Sequence, residues 1–150
     1  MRNKGFTLIE ILVVIGIFAI IAAFGMTTNL SAFTTATIQS EESKIVSALE
    51  RARSRAMANM FNTAHGVCYI APNYVIFREK DAHCVFGTST NELIPANTNI
   101  ATASSFPFTP VVFNQLSGNV TDAVITINMT DGVKTLVPPI KINNAGAINW

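Results

Sequence analysis

No proline occurs before Pro72 and no glycine between Gly25 and Gly66, so nothing in the first half of the chain forces a helix to break. Charge is scarce, at 13% of residues, and sums to +1, which leaves no basic footprint for nucleic acid. The signatures H-E-x-x-H, G-x-S-x-G, the P-loop and G-x-G-x-x-G are all missing, so no residue set points to an enzyme or to a cofactor. The spacings C-x₂-C and H-x₃₋₅-H are missing too. His65, Cys68, His83 and Cys84 are of the types that zinc accepts, but their spacing does not support a metal site.

What the chain does have is an apolar run from Phe6 to Met26 that contains one charged residue, Glu10. These 21 residues make about 31 Å of helix, against a bilayer core of about 30 Å, so the run is long enough to span. Arg2 and Lys4 precede it and, by the positive-inside rule, hold the N-terminus in the cytoplasm. A removable secretory signal fits poorly. Its apolar region would be shorter and uncharged, and here the run continues past the small residues Ala19, Ala22 and Ala23.

The opening Gly5-Phe6-Thr7-Leu8-Ile9-Glu10 resembles the processing signal of type IV pilins and of the pseudopilins of type II secretion. The resemblance implies that a prepilin peptidase cuts Gly5–Phe6 on the cytoplasmic side and N-methylates Phe6. The apolar segment is then retained in the inner membrane as a single-pass anchor, and the C-terminal domain lies in the periplasm. Loss of the leader removes Arg2 and Lys4, leaving 8 basic and 9 acidic side chains, a formal charge of −1.

A carboxylate at helix-centre depth costs about 2.5–3.5 kcal/mol, less near an interface, and such groups are usually paired and functional. Glu10 lies only a turn from the processed terminus, so snorkelling to the headgroups is one reading of it. The resemblance implies the other: Glu10 pairs with the Phe6 ammonium of a neighbouring subunit inside a helical filament, each charge compensating the other in a low-dielectric bundle.

From Thr27 to about Met60 the pattern becomes amphipathic, with Ile38, Ile45, Leu49, Ala52, Ala56 and Met60 on one stripe. Thr27 to Thr37 is poor in strong helix formers, which predicts a local loosening. After Asn62, strands are expected at 66–70, 74–78, 111–113, 120–129, 133–137 and 140–150, separated by turn signals such as Ala71-Pro72-Asn73 and Asn143-Asn144-Ala145-Gly146. Asp131-Gly132 predicts a hairpin between the fourth and fifth of these, and residues 96–105 read as an exposed loop. The expected fold is α+β: a long N-terminal helix, first transmembrane and then amphipathic, packed on a small antiparallel β-sandwich. The segments are a leader over 1–5, a membrane helix over 6–29, its continuation over 30–61 and an exported domain over 62–150.

Ser47-Ala48-Leu49-Glu50-Arg51-Ala52-Arg53-Ser54-Arg55-Ala56, together with the ending Ile140 to Ile148, resembles the GspH/FimT group of minor pseudopilins and pilins. Many major pilins carry proline where this chain has Thr27, which favours a minor subunit. Cys68 and Cys84, in a domain expected to be exported, are expected to pair. Arg51, Arg53 and Arg55 read as a solvated face or as intersubunit ion pairs, and a DNA-binding minor pilin is the alternative that they raise. The expected role is therefore a non-enzymatic subunit of a pilus or pseudopilus tip, with the peptidase, other pilin subunits and inner-membrane lipid as partners.

Overall fold

The computed structural model describes residues 5–25, 30–80, 84, 89–104 and 110–150; for 24, 25, 30–33 and 103 it describes the backbone alone. Arg2, Lys4, Thr27 and His83, all part of the sequence reading, lie outside the described residues. The chain divides into two compact units, Met1–Phe33 and Thr34–Trp150. The first contains helix α1 (Leu8–Gly25), whose side chains are exposed from Leu8 to Ala23.

Helix α2 (Leu30–Met57) is helical from Leu30 onward, so the loosening expected up to Thr37 does not occur in its described part. Ile38, Ile45, Leu49, Ala52 and Ala56 are all buried, as their spacing requires. Met60 is the exception, 40% exposed, because the helix has already ended at Met57. Leu116 N–H donates to the Ala56 carbonyl at 2.9 Å, and Asn59 turns left-handed at φ 53°, so the end is capped from outside the helix.

The rest of the fold is α+β with antiparallel sheets. Strands β1 (His65–Ile70), β2 (Asn73–Arg78), β3 (Glu92–Pro95) and β4 (Val111–Phe113) form one sheet in the order β3-β2-β1-β4. Strands β5 (Val124–Ile127), β6 (Ile140–Asn143) and β7 (Ile148–Asn149) form the second, in the order β5-β6-β7. Both sheets contribute to the core closed by α2: Val67, Tyr74, Ile76 and Phe113 from the first, Ile127, Ile140 and Ile142 from the second.

Three sequence expectations change here. The stretch 96–105 is not a loop throughout: a short helix, α3 (Thr98–Ala103), buries Ile100 and Ala101, and the buried Glu41 accepts the Asn97 N–H at 2.6 Å just before it. Strand 120–129 shrinks to β5. The hairpin around Asp131-Gly132 keeps its turn, with the Asp131 carboxylate accepting from Val133 and Lys134 N–H, but its arms form no strand ladder: they meet in the isolated bridge Thr130 to Thr135, with Leu136 N–H donating to the Met129 carbonyl at 2.8 Å beside it. Val133 and Val137 are 97% and 80% exposed and Leu136 alone packs against the core from this arm, which gives it little face to bury, and Pro138-Pro139 withdraws two ladder donors directly after it. β5 pairs instead with β6, Ile125 opposite Ile142 and Ile127 opposite Ile140.

The face of the first sheet turned away from the main core holds a smaller cluster, Cys68, Val75 and Phe77, with Ile70, Cys84 and Val112 against it. Gly66 belongs to this arrangement: a Cβ there would lie 2.5 Å from Phe77 Cζ and 2.8 Å from the Val111 carbonyl. Cys68 and Cys84 are joined in a disulfide across 16 residues, tying Cys84 onto that face. Replacing both cysteines by alanine should lower stability by about 3 kcal/mol in the loop-entropy account. Urea unfolding of oxidised protein checks this, and an unchanged midpoint would show that the strands hold the face without the bridge.

Candidate functional site

The N-terminal motif is built as a helix start. Thr7 stands immediately before α1, and Glu10 is its third residue. Thr7 N–H donates to Glu10 Oε2 and Glu10 N–H donates to Thr7 Oγ1, each at 3.4 Å. This reciprocal pattern is a capping box, with the threonine at N-cap and the glutamate at N3. Phe6 and Ile11 fall at the flanking N′ and N4 positions of a hydrophobic staple, and both line a shallow groove with Glu10, Val14 and Ile15. The T-x-x-E spacing was the available signal for this cap; the sequence reading used Glu10 only as a charge.

Both capping contacts are long for hydrogen bonds, so the carboxylate is weakly held and free to take a stronger donor. Around it the helix surface is almost wholly apolar and open: Phe6 and Leu8 are each 81% exposed, and Ile9, Leu12, Ile15 and Phe18 are all above half. Gly5 is exposed as well, and a Cβ built on it would meet nothing within 4 Å. Gly5, Phe6 and Glu10 thus lie together on an accessible segment that leads into the first turn of α1.

The profile of the prokaryotic N-terminal methylation motif matches residues 1–26. Residues 1–26 are thus similar to the start of type IV pilins and pseudopilins. No curated protein and no solved structure matches the chain. The motif ends at Met26, so everything beyond it in this pilin-like chain is read from its own geometry. Among the described residues no helix is long and apolar enough to cross a membrane. Helix α1 as described has 18 residues, about 27 Å, whereas the apolar run in the sequence extends beyond both of its ends.

The arginines fall differently from the sequence expectation of a solvated or intersubunit face. Arg51 and Arg55 do share a side of α2, and both donate to the carboxylate of Glu92 on β3. Arg53 points elsewhere and donates to the Ala145 carbonyl at 3.0 Å, in the turn between β6 and β7. That turn approaches closely because Gly146 has φ 74° and no side chain; a Cβ there would sit 2.0 Å from the Gly118 carbonyl. The cluster therefore ties α2 to β3 and to the C-terminal hairpin within one chain.

Burial works to raise the Glu92 carboxyl, but hydrogen bonding and charge from Arg55, then Arg51, outweigh it and hold the group below its ordinary range. A carboxyl lowered by folding stabilises the native state above its unfolded value and loses that contribution as pH falls through the folded value. Wild type should therefore lead Glu92→Gln in stability at neutral pH and lose that lead below about pH 4.5. Urea midpoints at descending pH check this; a lead that does not shrink at all as pH falls below about 4.5 would assign the effect to packing.

The remaining candidates separate cleanly. Cys68 and Cys84 bind each other, so neither offers a thiolate to a metal. His65 is buried, its Nδ1 lying 3.2 Å from the Thr63 carbonyl. Burial first, then the nearby Arg55 and Arg78, lower its basicity against the opposing pull of that carbonyl, which fits a neutral core histidine. No group of three metal-binding side chains occurs among the described residues.

Proposed function

We propose that this chain is a minor structural subunit of a type IV pilus or type II secretion pseudopilus, of the GspH/FimT kind. It is cut between Gly5 and Phe6, methylated on Phe6, held in the inner membrane by its apolar segment and drawn into the filament through Glu10. The observation that carries this reading is the surface of α1, where a whole cylinder of large apolar side chains is uncovered around a single carboxylate. Such a surface is stable only against lipid tails or other apolar helices.

The carboxylate gives the two environments different consequences. In lipid it stays near the headgroups, at the end of the helix where the capping box already faces Thr7. In a bundle it meets the methylated ammonium that cleavage creates, and methylation preserves that positive charge. The domain beyond α1 does no chemistry in this reading. It is a rigid head, braced by the arginine contacts, that one filament position recognises. A DNA-binding role gains no support, because Arg51 and Arg55 share the Glu92 carboxylate while Arg53 is drawn away to the Ala145 carbonyl, so the three arginines do not form one basic face.

Intact-mass measurement on chain purified from cells with and without prepilin peptidase tests the proposal. With the enzyme, the mass should fall by residues 1–5 and rise by one methyl group; without it, the full precursor should remain. An identical mass in both would overturn the processing step.

A further inference from the structure

We propose that the groove between α2 and β3 docks an extended acidic segment of another protein, which adds to β3 as a strand and sets its carboxylates on Lys44 and Arg51. One wall is the α2 stripe Ser43, Ser47 and Arg51 with Lys44 beside it; the other is Leu93, Ile94 and Pro95 of β3. The space between them is about 470 Å3, room for a few residues of extended chain.

Three observations specify the occupant. Among the described residues β3 is an edge paired with β2 alone, so its other side offers the Leu93 N–H and carbonyl to a further strand, while the Pro95 carbonyl there accepts from Lys44 Nζ at 3.4 Å. Leu93 is 48% exposed and gives that strand an apolar side chain to cover. The charge is asymmetric in depth. Lys44 is 42% exposed while its partner Glu41 is 2% exposed, and Arg51 is 47% exposed while Glu92 lies deeper and is shared with Arg55. The anions face the protein and the cations face the groove. Three cations against two carboxylates leave the site net positive, so it selects carboxylates and disfavours lysine-rich chains.

Serines 43 and 47 leave space beside the helix, and the Ser43 hydroxyl is turned back to the Gln39 carbonyl at 2.9 Å rather than filling it. Pro95 ends the strand, which limits the added pairing to a short segment and protects the edge from open-ended aggregation. This site involves neither α1 nor Glu10, so it stands independently of the filament role.

The test uses the full chain in detergent micelles and a labelled, capped five-residue peptide of alternating valine and aspartate, followed by fluorescence anisotropy. Saturable binding is expected, with added protection of the outward-facing Leu93 amide in hydrogen exchange. Replacing Lys44 and Arg51 together by glutamine should weaken binding about tenfold, the sum of two partly exposed ion pairs. Leu93→Asp should abolish it without touching either ion pair, which guards against misfolding in the first variant. Equal affinity for a valine–lysine peptide, or equal affinity for a backbone N-methylated version that cannot pair as a strand, would overturn the proposal. So would an absence of saturable binding up to about 1 mM.

Discussion

Glu10→Leu should give a chain that is inserted, cut and methylated but left out of the filament. Removing the one carboxylate makes the apolar run cheaper to insert, so membrane levels should hold or rise. Assembly should fail, because the Phe6 ammonium of a neighbouring subunit would enter the bundle without its counter-charge, and breaking one side of a buried pair costs about 3–5 kcal/mol. The capping box supplies a control. Thr7→Val removes the threonine hydroxyl that caps Glu10 N–H while keeping the carboxylate, and contacts already as long as 3.4 Å have little to lose. Thr7→Val should therefore assemble nearly as wild type. Co-purification with sheared filaments reads both variants; normal incorporation of Glu10→Leu would show that the carboxylate only caps and snorkels.

Gly5→Val should block processing completely while leaving the chain itself undisturbed. A side chain at Gly5 would meet nothing within 4 Å in its own molecule, so the substitution carries no folding penalty that could imitate a processing defect. Any failure then arises where the peptidase must close around the backbone beside the scissile bond. The variant should accumulate as precursor with residues 1–5 attached. A mature chain starting at methylated Phe6 in its mass spectrum would place the cleavage elsewhere or remove the requirement for glycine.

Signals that act over a few residues were read correctly. The stripe from Ile38 to Ala56 faces the core, the β-rich stretches expected at 66–70, 74–78 and 111–113 are strands, the first two beginning one residue earlier, and the two cysteines pair. Strand ends and partners were harder. Asp131-Gly132 makes its turn, yet turn chemistry cannot decide whether the flanking arms have a core to cover, and Val133 and Val137 do not. Helix α3 was missed because Thr98–Ala103 has little helix propensity of its own; Ile100 and Ala101 gain from burial, and Glu41, far away in sequence, takes up the Asn97 N–H. The capping box of Thr7 and Glu10 was legible in the T-x-x-E spacing.

By itself the sequence determined the processing motif, the apolar segment with its single carboxylate and the amphipathic face of α2, since each depends on composition and period along a continuous stretch. Only the tertiary structure decided what the arginines do. Arg51 and Arg55 meet Glu92 across some forty residues of chain, and Arg53 reaches Ala145 across 92. Periodicity can show which side of a helix a charge occupies, but its partner depends on which distant strand packs alongside. Here that choice turns a basic cluster that could have faced DNA into the internal brace of one domain, and it leaves Lys44 and Arg51 on the rim of an edge-strand groove.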